Sequence, residues 1–292
     1  MTGAARNKMR VMTTQPASDP GPTVRVAAVQ MVSGIALDAN LRAAGELIAQ
    51  AAAAGAELVV LPEYFCLMGA RDGDKVALRE PDGRGPIQDF LAGQARRHGL
   101  WLVGGTLPMA ASTPQRVRNT VLVFDPQGRR AARYDKIHLF SFSQGDESYD
   151  EARTIEPGTD VATFEMTSRA GVRLKIGLSV CYDLRFPELF RAMGQPDLIV
   201  VPAAFTATTG RAHWETLLKA RAIENLCYVL ASAQGGVHEN GRATFGHSML
   251  IDPWGNVVAR HADGPGLAIG DVAPHLTSRW RGQLPALAHR VL

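Results

Sequence analysis

Cysteine is scarce in this chain of 292 residues: Cys66, Cys181 and Cys227 are the three, an odd count without CxxC spacing. Such a set builds neither a disulfide framework nor a zinc site, so each is read as a thiol. Long apolar runs are also missing. No stretch approaches the roughly 18 residues of a membrane span. Residues 1–23 lack the apolar segment of a secretory signal, which predicts a soluble, cytoplasmic protein.

A dominant charge is missing too. Lys and Arg total 31 against 28 Asp and Glu, a net charge of +3, part of which sits on Arg6, Lys8 and Arg10. That balance argues against a nucleic-acid partner. A short basic cluster near Arg279, Arg281 and Arg290 is read as solvated surface; without a basic amphipathic helix, no membrane partner is expected. Residues 1–23 are small and polar and are interrupted by Pro16, Pro20 and Pro22. They are expected to form a mobile tail, with Met9 or Met12 as an alternative start, ahead of a folded domain over residues 24–292.

From Val24 onward, short runs rich in Val, Ile and Leu alternate with helical patterns, the pattern of a layered α/β fold with buried strands. Residues 24–30 and 57–62 read as strands around an alanine-rich helix at 41–54 that Gly55 stops. A second helix at 87–98, closed by Gly99, leads to strands at 100–106 and 119–124 and to the turn DPQG at Asp125. The second half repeats this order. LKIGLSV at Leu174 answers VRVAAVQ at Val24, PDLIVVPAAF at Pro196 answers AELVVLPEYF at Ala56, and CYVLASA at Cys227 answers LWLVGGT at Leu100. The turn IDPWG at Ile251 answers FDPQG at Phe124, and all these offsets lie between roughly 125 and 150 residues. Each half is therefore β-α-β-α-β-β-β, a sheet with helices on one face and an apolar second face that needs cover. Packing the two sheets together predicts an α/β fold, a four-layer α-β-β-α sandwich of two pseudo-symmetric halves.

Ligand sites in such folds lie beyond the carboxyl ends of strands. Glu63 closes VVLPE, Cys181 closes GLSVC, and Lys136 lies in RYDKIHLF after the first DPxG turn. An acid, a thiol and an amine in such places make an acid, base and nucleophile set. Cys181 stands at a tight strand-to-helix junction, with Pro187 an early helical residue, where backbone N–H groups and a nearby cation would favour thiolate. Each residue alone has a plainer reading: an inert buried thiol, a surface-turn glutamate, a solvated lysine.

Taken together, LPEYF at Leu61, YDKIHLF at Tyr134 and GLSVCYDLRFPELFR at Gly177 resemble the three signatures of the nitrilase superfamily, the carbon-nitrogen hydrolases, in that order. The resemblance extends over about residues 24–292 through PAAFT at Pro202, HWETLLKARAIEN at His213, FGHSMLIDPWG at Phe245 and LPALAHR at Leu284. It implies Glu63 as general base and acid, Cys181 as nucleophile forming a thioester, and Lys136 with the Tyr182 backbone N–H at the oxyanion. No metal or organic cofactor is required. It further implies a second glutamate, read as Glu151 in preference to Glu147, and a substrate region at Phe205 and Thr206, with Arg185 near a substrate carboxylate. For Arg185, pairing with Glu188 one helical turn away is the preferred reading over that role. His213 and Trp214 are read as lying just before a helix, Trp214 as packing or pocket wall, and Cys66 and Cys227 as structural thiols.

The local wording is most similar to the branch of omega-amidases and deaminated glutathione amidases, implying a hydrolase of a small carboxamide that releases ammonia. The alternatives are an N-carbamoyl amino acid hydrolase, a nitrilase, or, from another class, a protein-binding pseudoenzyme; an acyltransferase fits less well without membrane spans. The family's habit of extending its sandwich between subunits implies a homodimer or higher homo-oligomer, to which the apolar stretch at 284–292 contributes.

Overall fold

The computed structural model describes residues 21–145 and 147–291, so nearly all of the expected tail lies outside the described residues. The chain builds two main sheets. In the first, Val24–Gln30, Leu58–Val60 and Trp101–Val103 run parallel, in that order. Val117–Phe124 continues this sheet antiparallel and carries both Leu107–Ala110 and Arg130–Asp135. In the second, Arg173–Leu178, Leu198–Ala203 and Tyr228–Ala233 are the parallel trio, continued antiparallel by Ser248–Ile251 and Val257–His261.

Alternation along the first strand explains the layering. Val24, Val26 and Ala28 point into a core shared with Leu174, Ile176 and Leu178 of the other sheet. Ala27 and Val29 point the other way, onto the helices Leu37–Ala53 and Pro86–His98. A strand buried on both faces has no polar side to show, which is why these runs are continuously apolar. Leu37–Ala53 presents Ala44, Leu47, Ile48 and Ala51, one stripe at helical spacing. Pro86–His98 starts on a proline at its first position and stops at Gly99, whose φ of 58° is left-handed. Helices outside, two sheets inside: the four layers are in place.

The halves correspond in detail. In the first DPxG turn, Asp125 Oδ1 accepts from the N–H groups of Gln127 and Arg129; in the second, Asp252 Oδ1 accepts from those of Trp254 and Asn256. One feature departs from the simple repeat. The last strand, Gly266–Val272, leaves the second half and pairs antiparallel with Val24–Gln30, setting Val272 opposite Val24. Its counterpart is Thr163–Thr167, antiparallel on Arg173–Leu178. The repeat is thus circular: each parallel trio has an antiparallel strand on its outer edge, and the first half receives its own from the far end of the chain.

Two further corrections are local. Residues 100–106 do not form one strand: the chain breaks at Gly104 and Gly105 and resumes as Leu107–Ala110. Gly105 has φ 55°, and a Cβ there would lie 2.2 Å from the Pro62 carbonyl oxygen, so only glycine lets this loop pass the segment leading to Glu63. His213 and Trp214 lie inside the helix Ala207–Asn225, not before it. Its start is set by Thr206, whose hydroxyl accepts from the Thr209 N–H at 3.3 Å. Trp214 is wholly buried, tilted against Phe205 with ring centroids 4.8 Å apart.

Candidate active site

Glu63, Lys136 and Glu151 meet at the carboxyl end of the first sheet's strands. Glu63 is 1% exposed, and both its oxygens are held: Oε1 accepts from Asn119 Nδ2 at 2.8 Å and Lys136 Nζ at 3.0 Å, Oε2 from the Ala204 N–H at 3.0 Å. Lys136 Nζ also donates to Glu151 Oε1 at 3.0 Å and Oε2 at 2.7 Å. Glu151 further accepts from the Tyr64 hydroxyl at 2.7 Å and the Phe140 N–H at 2.7 Å. Glu151 is therefore the glutamate brought to the lysine; the side chain of Glu147 lies outside the described residues.

Local structure delivers these groups. The hairpin of Val117–Phe124 and Arg130–Asp135 pairs Thr120 with Asp135, which puts Asn119 beside Lys136; the Lys136 N–H donates to the Asn119 carbonyl at 3.0 Å. Gly158 closes the loop behind: its N–H donates to the Lys136 carbonyl at 2.9 Å, and a Cβ there would strike the Asp135 carbonyl oxygen at 2.1 Å. Tyr64 takes a left-handed φ of 57°, with its N–H on Thr106 Oγ1, which swings the chain away directly after Glu63.

Cys181 opens the short turn Cys181–Arg185 at φ 49°, left-handed for a non-glycine residue. Such strain needs support, and Asp183 supplies it. Its buried carboxylate accepts from the Val180 N–H at 2.8 Å, the Tyr134 hydroxyl at 2.7 Å and the His138 N–H at 3.1 Å, with His138 Nδ1 at 2.7 Å. Burial and the Asp183 charge push the Tyr134 hydroxyl far up, so it stays a donor.

Electrostatics correct one expectation. Burial, then the charge of Glu63, push the Cys181 thiol well above its ordinary value, against the opposing pull of Lys136 and an Ala204 backbone hydrogen bond. The first cause is burial: a resting thiolate would be an anion in a site out of water, facing the charge of Glu63. Burial opposes the charge of Lys136 as well, but Glu151 and Glu63 hold its ammonium far above the usual lysine value. Glu151 likewise keeps its charge against burial because Lys136 lies on it, which sets it below the usual carboxylate value.

Cys181 is 7% exposed and reaches a small pocket. Tyr182, Arg185, Phe205 and Thr206 line it, with Phe140 and Thr209. The Tyr182 ring meets Phe140 and Phe186 edge-on at 5.2 and 5.4 Å. Among the described residues Arg185 makes no ion pair with Glu188; its guanidinium lies over the rings of Tyr182 and Phe205, at 5.7 and 5.6 Å, so aromatic stacking displaces the helical pairing. Cys66 and Cys227 are buried elsewhere, each thiol pushed up to about 12 by burial.

Sequence reasoning missed Asn119 and Asp183 as site supports: counting register back from the DPQG turn sets Asn119 opposite Asp135, and only the irregularity between Val123 and Phe124 shifts it by one to Lys136. Among the described residues, no group of three or more His, Cys, Asp or Glu is arranged to hold a metal ion, and no helix is long and apolar enough to cross a membrane.

The carbon-nitrogen hydrolase family matches residues 25–282. The chain is 42% identical to the deaminated glutathione amidase of Synechocystis sp. PCC 6803, over 91% of this chain and 97% of that one. It is 38% identical to the human deaminated glutathione amidase, over 91% and 81%. Among solved structures, NitFhit of C. elegans superposes with a TM-score of 0.80 at 35% identity; that alignment covers 92% of this chain but 65% of NitFhit. Nit3 of Saccharomyces cerevisiae, a member of branch 10 of the nitrilase superfamily, superposes at 0.78 with 28% identity over 90% and 94%. By sequence and by fold, the chain belongs to the carbon-nitrogen hydrolase family.

Proposed function

We propose that this chain is a thiol-dependent amidase that cleaves a small carboxamide through a Cys181 thioester. The observation that carries this reading is the triple grip on Glu63, a buried carboxylate held by Asn119, Lys136 and the Ala204 N–H on the side of the site where Cys181 lies. Because the resting sulfur is a thiol, the first step moves its proton to Glu63 as the sulfur attacks the amide carbon. The site then carries the same total charge as before: the negative charge of Glu63 has become that of the tetrahedral oxyanion. Protonation also weakens the bond from Lys136 to Glu63, which frees an ammonium N–H for the oxyanion alongside the Tyr182 N–H. Glu63 next gives its proton to the departing nitrogen as the C–N bond breaks, leaving the thioester and ammonia, or an amine where the amide is substituted. Glu63 finally takes a proton from water as the oxygen attacks the thioester, and collapse returns the thiol and releases the acid.

In this reading Glu151 keeps Lys136 charged and in place, and Phe205, Thr206 and Arg185 border the acyl group. We place the enzyme in the cytoplasm, in keeping with three buried free cysteines, and as a homo-oligomer. Ile223, Trp254, Val258 and Leu284 support the latter as exposed large apolar side chains.

The test is release of ammonia or amine from 2-oxoglutaramate, deaminated glutathione, N-carbamoyl amino acids and nitriles by wild type and Cys181→Ala. Turnover of an amide that vanishes in Cys181→Ala is the expected result. Carbon dioxide with ammonia would make the chain a carbamoyl hydrolase, and turnover of nitriles alone a nitrilase. A folded, alkylatable protein silent throughout would move the reading to a binding role.

A further inference from the structure

Beside the catalytic cluster, on the far side of Tyr64, lies a second pocket whose lining includes Arg71, Asp72, Lys75 and Arg242. Three cations face one carboxylate there. Arg242 stacks its guanidinium 4.9 Å over the Tyr149 ring and points Nη1 toward Met68 Sδ at 3.7 Å; among the described residues its buried Nε has no hydrogen-bond partner and no carboxylate pairs with it. Lys75 is half-buried, with Nζ 5.7 Å from the Tyr64 ring centroid and no ion pair among the described residues. Burial lowers its pKa against the opposing charges of Glu151 and Asp72, with Arg242 and Lys136 adding to the effect of burial. Asp72 and Glu151 offset only part of the charge of these partly desolvated cations, neither of which has an ion pair among the described residues, so the pocket suits a further anionic group.

The arrangement is also held in place. The short hairpin Gly235–Val237 and Ala243–Phe245 that presents Arg242 is docked through Asn240, whose amide donates to the Gly69 carbonyl at 2.7 Å while its Oδ1 accepts from the Arg242 N–H at 3.0 Å. His238, buried under the same hairpin, joins the Ser33 carbonyl and Thr244 Oγ1, each at 2.8 Å. The pocket adjoins the active site through two sets of packed side chains. Tyr64 lines it and hydrogen-bonds Glu151; Phe140 borders Cys181 and packs 5.7 Å from the Tyr149 ring that carries Arg242.

We propose that Arg242 and Lys75 form a carboxylate-binding subsite that selects amides bearing an anionic group several bonds from the scissile C–N bond. The guanidinium supplies directional donors and the ammonium a point charge, the pairing suited to a carboxylate. This inference rests on the amidase reading, and it names the substrate class for the same site.

The experiment compares deaminated glutathione with its glycine methyl ester, which removes the remote charge and leaves the amide intact. In wild type the free acid is preferred; Arg242→Gln and Lys75→Gln are each expected to raise KM for the acid about tenfold or more, with kcat and the ester little changed. Arg242→Lys should recover part of the preference. Equal losses on acid and ester would show a structural role and overturn the subsite, as would an unchanged preference. Calorimetry on Cys181→Ala reads binding without catalysis, so it also decides if the amidase reading fails. Tighter binding of acid than ester, abolished by adding Arg242→Gln, supports the subsite; equal binding of both refutes it.

Discussion

Lys136 holds two carboxylates apart with one charge, so its removal does more than delete a contact. Lys136→Met leaves Glu63 and Glu151 facing each other out of water and should cost about 3–5 kcal/mol of stability, along with all activity. Urea denaturation monitored by circular dichroism measures the first; a loss under 1 kcal/mol would mean that water or rearrangement compensates them. The pH dependence has a definite sign. Glu151 has a lowered folded pKa, so its contribution is complete above its unfolded value near about 4.3 and is lost as pH falls through the lower folded value. Lys136 has a raised folded pKa, so its contribution is complete below the unfolded value near about 10.4 and is lost only as pH climbs through the higher folded one. Between those limits the pair gives a level profile. The buried thiols add an alkaline slope: above about pH 8.5 the unfolded thiols ionise and the folded ones do not, so stability falls as pH rises. Replacing Cys66 and Cys227 together by Ala should remove about 2.7 kcal/mol per pH unit of that slope between pH ~9 and ~11, whatever the cavities cost at neutrality. An unchanged slope in denaturation curves taken across that range would show that the thiols are not what steepens it.

At the level of elements, the turn that bears Cys181 is one short 3-10 stretch, and the Asp183 carboxylate braces it. Asp183→Ala would leave the Val180 N–H and the Tyr134 hydroxyl buried without acceptors, at about 1–3 kcal/mol each. It would also loosen the sulfur, and displacement by about 1 Å is enough to cost roughly a hundredfold in rate. The expectation is therefore a fall in kcat that exceeds the change in KM, while Cys181 remains alkylatable; a change confined to KM would assign Asp183 to the substrate instead. This division explains what could be read in advance. Apolar runs, the Gly55 and Gly99 stops and the paired DPxG turns are local signals, and the layers follow from them. Glu63, Lys136 and Cys181 were legible because each sits in a distinctive stretch. Asp183 lay in plain view within CYDLR, but its partners Tyr134 and His138 come from a strand and a loop nearly fifty residues away. Lys75 and Arg242 gave no signal at all, since loop packing alone brings 68–75 and 235–245 together. The thiolate expected at Cys181 is opposed for a related reason: its burial, and the charge of Glu63 that faces it, arise only in the tertiary structure.

For the whole molecule, the crossing of Gly266–Val272 onto the first strand sets the two ends of the described fold side by side. The natural break in the chain, between that strand and Val24–Gln30, corresponds to the turn between Thr163–Thr167 and Arg173–Leu178. That turn is exposed at Arg169, Ala170 and Gly171. Circular permutation should therefore move the ends from one site to the other. Gly21 lies against the His275 ring, and the helix Pro274–Gln283 runs about 15 Å, so a flexible linker of about eight residues from Gln283 back to Gly21 is long enough. Opened between Ala170 and Gly171, such a chain keeps every strand pairing and every residue of the catalytic cluster. It should unfold cooperatively within about 2 kcal/mol of wild type and retain amidase turnover. The control opens at Gly145 in the hairpin of Ser141–Gln144 and Glu147–Asp150, which leads directly to Glu151. That permutant should fold as well but lose most of its turnover, because the strap that brings Glu151 and Phe140 to the site has been cut. Calorimetry and the amide assay on both chains decide the matter: if the first aggregates or melts without cooperativity while the second does not, the two halves are not the equivalent units that their matching turns and edge strands indicate.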